Sequence, residues 1–165
     1  MVREMTNSDS TIFLLDKSGS MFYNIDDTIG GYNSFVKGLP SDSLFAMYMF
    51  SDKCECHYDN VSVKDVPELT SKEYVTQGNT ALFDSMGEIL LKYKTGKFVI
   101  LTDGCENASK KFTKDAIKDL IKASSLEIVY IGADLECAKD IGITRTRHYT
   151  GHDSPAAFAW ASQQV

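Results

Sequence analysis

The chain alternates between short apolar runs and longer segments in which apolar residues recur every three or four positions. An unbroken apolar run is typical of a strand that is buried on both faces, as in the centre of a parallel sheet. Such runs predict strands at residues 11–15, 44–50, 97–101 and 126–131. The recurring pattern predicts helices, because a period near 3.6 places the apolar side chains on one helical face. These helices are expected near residues 25–39, 82–93, 114–122 and 135–141.

Shorter elements complete the pattern. Residues 54–58 predict an antiparallel edge strand with Glu55 on its exposed face. Residues near 147–149 predict a short last strand. Ser154 and Pro155 predict the start of a final helix, since Ser favours the cap and Pro the first turn.

Strands that alternate with helices indicate an α/β fold. We expect a doubly wound, mainly parallel central sheet with one antiparallel edge strand and helices on both faces. Residues 60–76 predict no regular element. Residues 1–10 are expected to be a mobile lead-in, and residues 11–165 to form a single domain.

Several residues predict where the helices begin and end. Asn24 is expected to cap the first helix and Thr113 the third, and Gly96 to close the second. Gly30 and Gly31 weaken the first helix, which is tolerable if another element packs closely there.

Composition limits the classes of function. The 165 residues are 43% hydrophobic and 24% charged, with a formal net charge of -6, so generic binding to nucleic acid or to anionic membranes is not expected. The polar start is unlike a signal segment, and no apolar run approaches a membrane span. A cytoplasmic location with reduced cysteines is therefore expected. Cys54 and Cys56 favour burial on one face of a strand over half of a zinc site.

The candidate chemistry begins where the first strand ends. Asp16, Ser18 and Ser20 follow the run Ile12–Leu15, and Gly19 allows a tight bend between the two serines. One carboxylate and two hydroxyls are hard oxygen ligands, which suit Mg²⁺, Ca²⁺ or Mn²⁺ better than zinc. A strand-to-helix turn with local hydrogen bonds is the alternative interpretation.

Two further segments are expected at the same edge of the sheet. Asp103 follows the strand 97–101, and Thr80 directly precedes a helix. In an open parallel sheet, ligands bind outside the carboxyl ends of the strands, where the helices also begin. The sequence therefore predicts that Thr80 and Asp103 join Asp16, Ser18 and Ser20.

The stretches IFLLDKSGSM, GNTALFDS and VILTDGCENAS resemble those of the von Willebrand factor A (vWA) family. They are most similar to intracellular bacterial and phage vWA proteins related to tellurite resistance and stress. The resemblance implies a Rossmann-like fold and a metal-ion-dependent adhesion site for Mg²⁺, with Mn²⁺ or Ca²⁺ as alternatives. Its ligands would be Asp16, Ser18, Ser20, Thr80 and Asp103. It also implies a protein-interaction module whose metal takes an Asp or Glu carboxylate from a partner protein.

Other polar residues near these segments have open interpretations. Asp84 either hydrogen-bonds a bound water or orients the Thr80 loop, or it is an exposed first-turn acid. Glu106 and Asn107 either rim the site or serve a turn. Asp26 and Asp27 are expected on the surface, where they favour the start of a helix. A separate stripe is expected to be a solvated helix face: Lys114, Lys118 and Lys122.

Enzyme chemistry is the weaker hypothesis. Gly96-Lys97 is followed by Phe98, so the phosphate-binding loop pattern is absent, as is the dinucleotide glycine pattern. His148 and His152 are separated by a turn and are not expected to be ligands. A metal-assisted phosphoester hydrolase is the alternative, although no general base is apparent. A structural vWA module with a vestigial metal site is a further alternative.

Overall fold

The protein, described by a computed structural model over residues 10–104, 106–148 and 154–164, is built on one sheet of six strands within these residues. The sheet order is β3-β2-β1-β4-β5-β6, and every neighbouring pair is parallel except β2 and β3. This arrangement confirms the predicted fold class. The strands are β1 Ser10–Asp16, β2 Leu44–Phe50, β3 Cys54–Ser62, β4 Thr95–Thr102, β5 Ser125–Gly132 and β6 Arg145–His148.

Helices cover both faces of the sheet. One face packs against α1 and α5, and the other against α2, α3 and α4. In β1, Phe13 and Leu15 enter the first core while Ile12 and Leu14 enter the second, and all four are fully buried. This explains why β1 is an unbroken apolar run. The helices are α1 Ile25–Lys37, α2 Leu82–Lys92, α3 Lys114–Ala123, α4 Leu135–Asp140 and α5 Ser154–Gln164.

A close contact explains one of the two glycines within α1. A β-carbon at Gly31 would lie 2.1 Å from the Phe158 ring of α5, whereas one at Gly30 would meet nothing within 4 Å. The ring of Phe158 stacks on Phe13 with centroids 6.1 Å apart. Gly31 therefore lets α5 approach the sheet, as the prediction required.

One predicted cap and one predicted helix boundary are wrong, although α1 does begin directly after Asn24. Residues Gly19–Asn24 form a 3₁₀ helix that leads into α1, so Asn24 makes no capping hydrogen bond through its side chain. Gly96 lies inside β4 with φ 120°, because α2 already ends at Lys92 and Tyr93 is extended. The capping role of Thr113 is confirmed, since its side chain accepts the N–H of Ala116 at 3.1 Å.

The edge strand β3 is longer than predicted and irregular. Its pairing with β2 shifts in register on both sides of Met47. Cys54 is half-buried but Cys56 is exposed, so the predicted burial of Cys56 is wrong. The reason is that an edge strand is covered only where a helix reaches it, and Cys54 is the position that packs against the α2 core.

The remaining predictions concern the surface and the chain ends. The solvated stripe of α3 is confirmed, because its three lysines are exposed, as are Asp26 and Asp27 at the start of α1. His148 is exposed at the end of β6, whereas His152 and residues 1–9 lie outside the described residues. Among the described residues, no helix combines the length and the apolar character needed to cross a membrane.

Candidate metal site

Asp16 forms the buried floor of the candidate site. It ends β1, between β2 and β4, and is fully buried. Its Oδ1 accepts the N–H of Ser18 at 2.6 Å, and its Oδ2 accepts the hydroxyl of Thr102 at 2.6 Å. Burial raises the pKa of this carboxyl, hydrogen bonds from Thr102 and Ser18 partly offset that effect, and the charge of Asp103 raises the pKa further.

Two hydroxyls and a second carboxylate lead from this floor to solvent. The Oγ atoms of Ser18 and Ser20 are 3.3 Å apart, and Ser20 Oγ donates to Asp103 Oδ1 at 2.8 Å. Ser18 is buried, Asp103 is half-buried and Ser20 is exposed. The network therefore has a protected end and an open end.

Thr80 lies at the other side of the Asp103 loop. It is buried, and a β-carbon on Gly104 would be 3.9 Å from its Oγ1. Its backbone is held by Asn107, whose Oδ1 accepts the N–H of Thr80 at 2.8 Å and whose own N–H donates to the carbonyl of Thr80 at 2.9 Å. All five predicted site residues thus lie at the carboxyl edge of β1 and β4. Their role as ligands stays a prediction.

Neighbouring segments hold the loop after β1 in place. The N–H of Lys17 donates to the carbonyl of Phe50 at 2.8 Å, and the carbonyl of Lys17 accepts from Gln77 at 2.8 Å. The N–H of Gly19 donates to the carbonyl of Gly78 at 3.0 Å. Gly78 has φ 81°, a conformation that favours glycine. The serine hydroxyls are therefore presented by a loop that is tied on two sides.

The structure adds residues that the sequence did not reveal. Thr102 binds the carboxylate of Asp16, and the Tyr74 hydroxyl donates to the Asp16 carbonyl at 2.7 Å. Thr102 directly follows the apolar run 98–101, and a hydroxyl at the carboxyl end of a buried strand was a usable signal for it. No comparable signal pointed to Tyr74, which lies in the segment that predicted no element.

Asp84 is half-buried and supports a loop, so its interpretation as an exposed first-turn acid is wrong, whereas a hydrogen bond to a bound water stays a prediction. Its carboxylate accepts the N–H groups of Lys110, Lys111 and Phe112 at 2.8, 2.9 and 2.9 Å. Desolvation raises the pKa of Asp84, but these three hydrogen bonds outweigh it and hold the pKa below the ordinary value. Asp84 therefore anchors residues 110–112 to the start of α2.

Glu106 also accepts hydrogen bonds from backbone N–H groups of this loop. One carboxylate oxygen accepts the N–H of Phe83 at 3.0 Å and the hydroxyl of Ser109, and the other accepts the N–H groups of Ala108 and Ser109 at 2.8 Å each. Turn chemistry is thus the correct interpretation of Glu106. Asn107 instead braces Thr80, 27 positions away in sequence, and its place at the rim of the site stays a prediction.

The donor set fits a hard divalent cation. It consists of two carboxylates and three hydroxyls, all oxygen, with three of these groups linked by hydrogen bonds of 2.8 and 3.3 Å. In the described part of the chain, no cluster of three or more His, Cys, Asp and Glu side chains is suited to a metal ion. A site made mainly of hydroxyls is consistent with that finding, because only two of its members belong to those residue types.

Exposed aromatic side chains stand beside the open end of the network. Phe22 and Tyr23 follow Ser20 in the 3₁₀ helix and are 64% and 85% exposed. Their rings contact each other edge to face, with centroids 5.6 Å apart. Adjacent exposed aromatic residues are more typical of an interaction surface than of a solvated loop.

Comparisons with known proteins identify the fold. No protein-family model matches the sequence, and no curated protein sequence matches it. The ArnB paralog VWA2 from Sulfolobus acidocaldarius superposes with a TM-score of 0.71 at 19% identity, over 92% of this chain and 44% of that chain. The von Willebrand factor type A structure from Catenulispora acidiphila gives 0.69 at 16% identity, over 95% and 42%.

A third match extends over a larger share of the matched protein. Manganese-loaded TRAP protein from Plasmodium vivax superposes with a TM-score of 0.66 at 17% identity, over 93% of this chain and 73% of that chain. The chain spans less than half the length of the first two proteins. These similarities show that the protein has the fold of vWA domains.

Proposed function

We propose that the protein is a metal-dependent protein-interaction module. One observation carries the proposal: Ser20 lies within hydrogen-bonding distance of both Ser18 and Asp103, and Ser18 is bonded through its N–H to the buried carboxylate of Asp16. Two separate segments, the loop after β1 and the loop after β4, supply these groups. The site is also at the switch between β1 and β4, where the chain turns from one half of the sheet to the other and where ligands of such sheets bind.

The five residues would hold the ion through two kinds of oxygen, hydroxyl and carboxylate. Ser18, Ser20 and Thr80 would hold Mg²⁺ or Mn²⁺ through hydroxyls, and Asp16 and Asp103 directly or through water. A bound cation would supply an electrophilic coordination position on the solvent side, beside Ser20. Because only two carboxylates surround the ion, a carboxylate from a partner remains attractive to it. The manganese-loaded state of the TRAP structure supports the choice of metal.

The residues around the candidate metal site favour the binding of a partner protein over catalysis. Phe22 and Tyr23 offer apolar area at the open side, as partner surfaces do. Glu106, the acid nearest in sequence to Asp103, has both carboxylate oxygens occupied by backbone N–H groups, so it is not placed as a general base. We therefore propose that the protein is not an enzyme. The cytoplasmic location and the similarity to tellurite-resistance proteins stay predictions from the sequence.

Calorimetric titration with Mn²⁺ tests the metal site. The parent should bind one ion, and Asp103→Ala and Ser20→Ala should each lose measurable binding while keeping the parent's circular dichroism. Asp119→Ala, which removes an exposed acid on α3, is the control for charge and should bind as the parent does. Equal Mn²⁺ affinity in all four proteins would refute the proposed site.

A second measurement tests the open position. Bound Mn²⁺ should broaden the carboxyl ¹³C resonance of labelled acetate, since acetate carries the group expected from a partner. The broadening by the parent should exceed that of the same free Mn²⁺ concentration without protein, and this excess should disappear in Asp103→Ala. If Mn²⁺ binds to the parent and acetate is not broadened, the metal has no position free for a carboxylate.

A further inference from the structure

A cleft of about 690 Å³ opens beside the candidate metal site, on the α2 side of the sheet. Its near end is formed by Asn79 and Asn107, the residues next to and bonded to Thr80. The volume falls within the range of ligand-binding pockets, about 300–1,000 Å³. A group bound at the metal site and a group in this cleft would therefore be neighbours.

Three lysines line this cleft from two walls. Lys53 comes from the turn between β2 and β3, and Lys110 and Lys111 come from the loop before α3. All three are exposed, and within the described residues none of their ammonium groups forms an ion pair. With three lysines and three acids the lining is formally neutral, whereas the chain as a whole carries a net charge of -6. We call this feature the lysine cleft.

The acids in the same lining are largely engaged. Asp84 accepts three backbone N–H groups, although its charge also attracts Lys111. Asp52 accepts the backbone and side-chain N–H groups of Asn79 at 3.3 and 3.2 Å. Glu88 is exposed and lies farther along α2. The lysines thus keep free donors, while two of the three acids are already hydrogen-bonded.

The wall that carries two of the lysines is well anchored. Asp84 holds the backbone of residues 110–112, and Asn107 is bonded to Thr80. The Phe112 ring packs on α2 so closely that a β-carbon at Gly87 would lie 2.6 Å from it. The backbone positions of Lys110 and Lys111 are therefore set relative to the metal site before any partner binds.

We propose that the lysine cleft receives further acidic side chains of the partner segment whose first carboxylate reaches the metal. The partner would then be a protein segment with several closely spaced Asp or Glu residues. This inference rests on the proposed function and narrows its ligand. Lysine ammonium groups attract carboxylates without demanding one geometry, so a run of acids would be favoured over a single fixed contact.

Fluorescence anisotropy with labelled hexaglutamate tests the inference in Mn²⁺. The variant Lys53→Gln/Lys110→Gln/Lys111→Gln should bind about tenfold more weakly than the parent, since each exposed pair contributes a factor of roughly 1.5 to 5. The control is Lys114→Gln/Lys118→Gln/Lys122→Gln, which removes the same charge from α3 and should change affinity less than about twofold. A hexapeptide with one Glu and five Gln should bind to the parent and to the cleft variant with the same affinity.

The outcomes separate the lysine cleft from the metal site. Equal effects of the two triple variants, or no binding of hexaglutamate to the parent, would overturn the lysine cleft. Lysine-dependent binding that persists unchanged in EDTA would overturn the metal-dependent function and leave the lysine cleft intact. An oligothymidine of the same length that binds as tightly as hexaglutamate would show a phosphate site and would also overturn the preference for an acidic protein segment.

Discussion

The hydroxyl of Thr102 donates a hydrogen bond of 2.6 Å to Asp16 Oδ2, joining the last residue of β4 to the last residue of β1. Both residues are fully buried. The bond fixes one oxygen of a carboxylate that burial otherwise disfavours, and it leaves the carboxylate oriented towards Ser18. Thr102 is therefore a positioning residue for the candidate site.

Replacing Thr102 should reveal this role. Thr102→Val keeps the shape but removes the donor, so a buried carboxylate oxygen loses its partner. We expect a loss of about 1–3 kcal/mol in the free energy of unfolding, measured by urea denaturation. Thr102→Ser keeps the hydroxyl and is the control. If the Val variant is as stable as the Ser variant, the hydrogen bond does not support Asp16.

Metal should stabilise the folded protein by mass action. At a free Mn²⁺ concentration about a hundred times the dissociation constant, the gain is about 2.7 kcal/mol. Each kcal/mol raises the Tm of a domain of this size by roughly 2–4 °C, so a rise of about 5–11 °C is expected. Thermal scans of the parent and of Asp103→Ala provide the measurement, and the variant should show no rise. An unmoved Tm of the parent in saturating Mn²⁺ would favour a vestigial site.

Without metal, stability should depend on pH through Asp16. Burial raises the pKa of Asp16 in the folded protein above the ordinary value of 3.8, so the folded state holds a proton that the unfolded chain releases. The stabilising contribution is complete below pH 3.8 and is lost as the pH rises through the folded pKa.

The comparison with Asp16→Asn tests this effect through the change with pH, because the amide is nearly the same size and does not titrate, whereas its loss of one acceptor shifts stability equally at every pH. In EDTA, urea denaturation from pH 3.5 to 7 should show the parent falling in stability relative to the variant. Parallel curves for the two proteins across this range would contradict the raised pKa.

Asp84 should matter for stability although it lies outside the metal site. Asp84→Ala leaves three backbone N–H groups of residues 110–112 without their acceptor, at a cost of about 2–4 kcal/mol. Asp115→Ala is the matched control, since Asp115 is also a first-turn acid but is exposed, and it should cost less than about 0.5 kcal/mol. Equal losses in urea denaturation would mean that only the helix dipole is involved.

The sequence by itself determined the layered α/β fold and the location of the candidate site. The run Ile12–Leu15 is apolar at every position because β1 is covered on both faces. Such a local pattern can be recognised in the amino-acid sequence alone. Asp16, Ser18 and Ser20 are close in sequence, and Asp103 follows a strand of the same kind. Since parallel strands place their carboxyl ends at one edge, their convergence followed from chain order.

The tertiary structure decided which side chains support those residues. Thr102 is 86 positions from the carboxylate it binds, and Tyr74 is 58 positions from the carbonyl it binds. The carboxylate of Asp84 binds the backbone of residues 110–112, although its helical spacing from Thr80 predicted that the two side chains face the same way. A hydrogen bond depends on the relative positions of two backbones to within tenths of an ångström. Periodicity and spacing specify which face and edge a residue occupies, whereas its partner is settled only when the loops have packed.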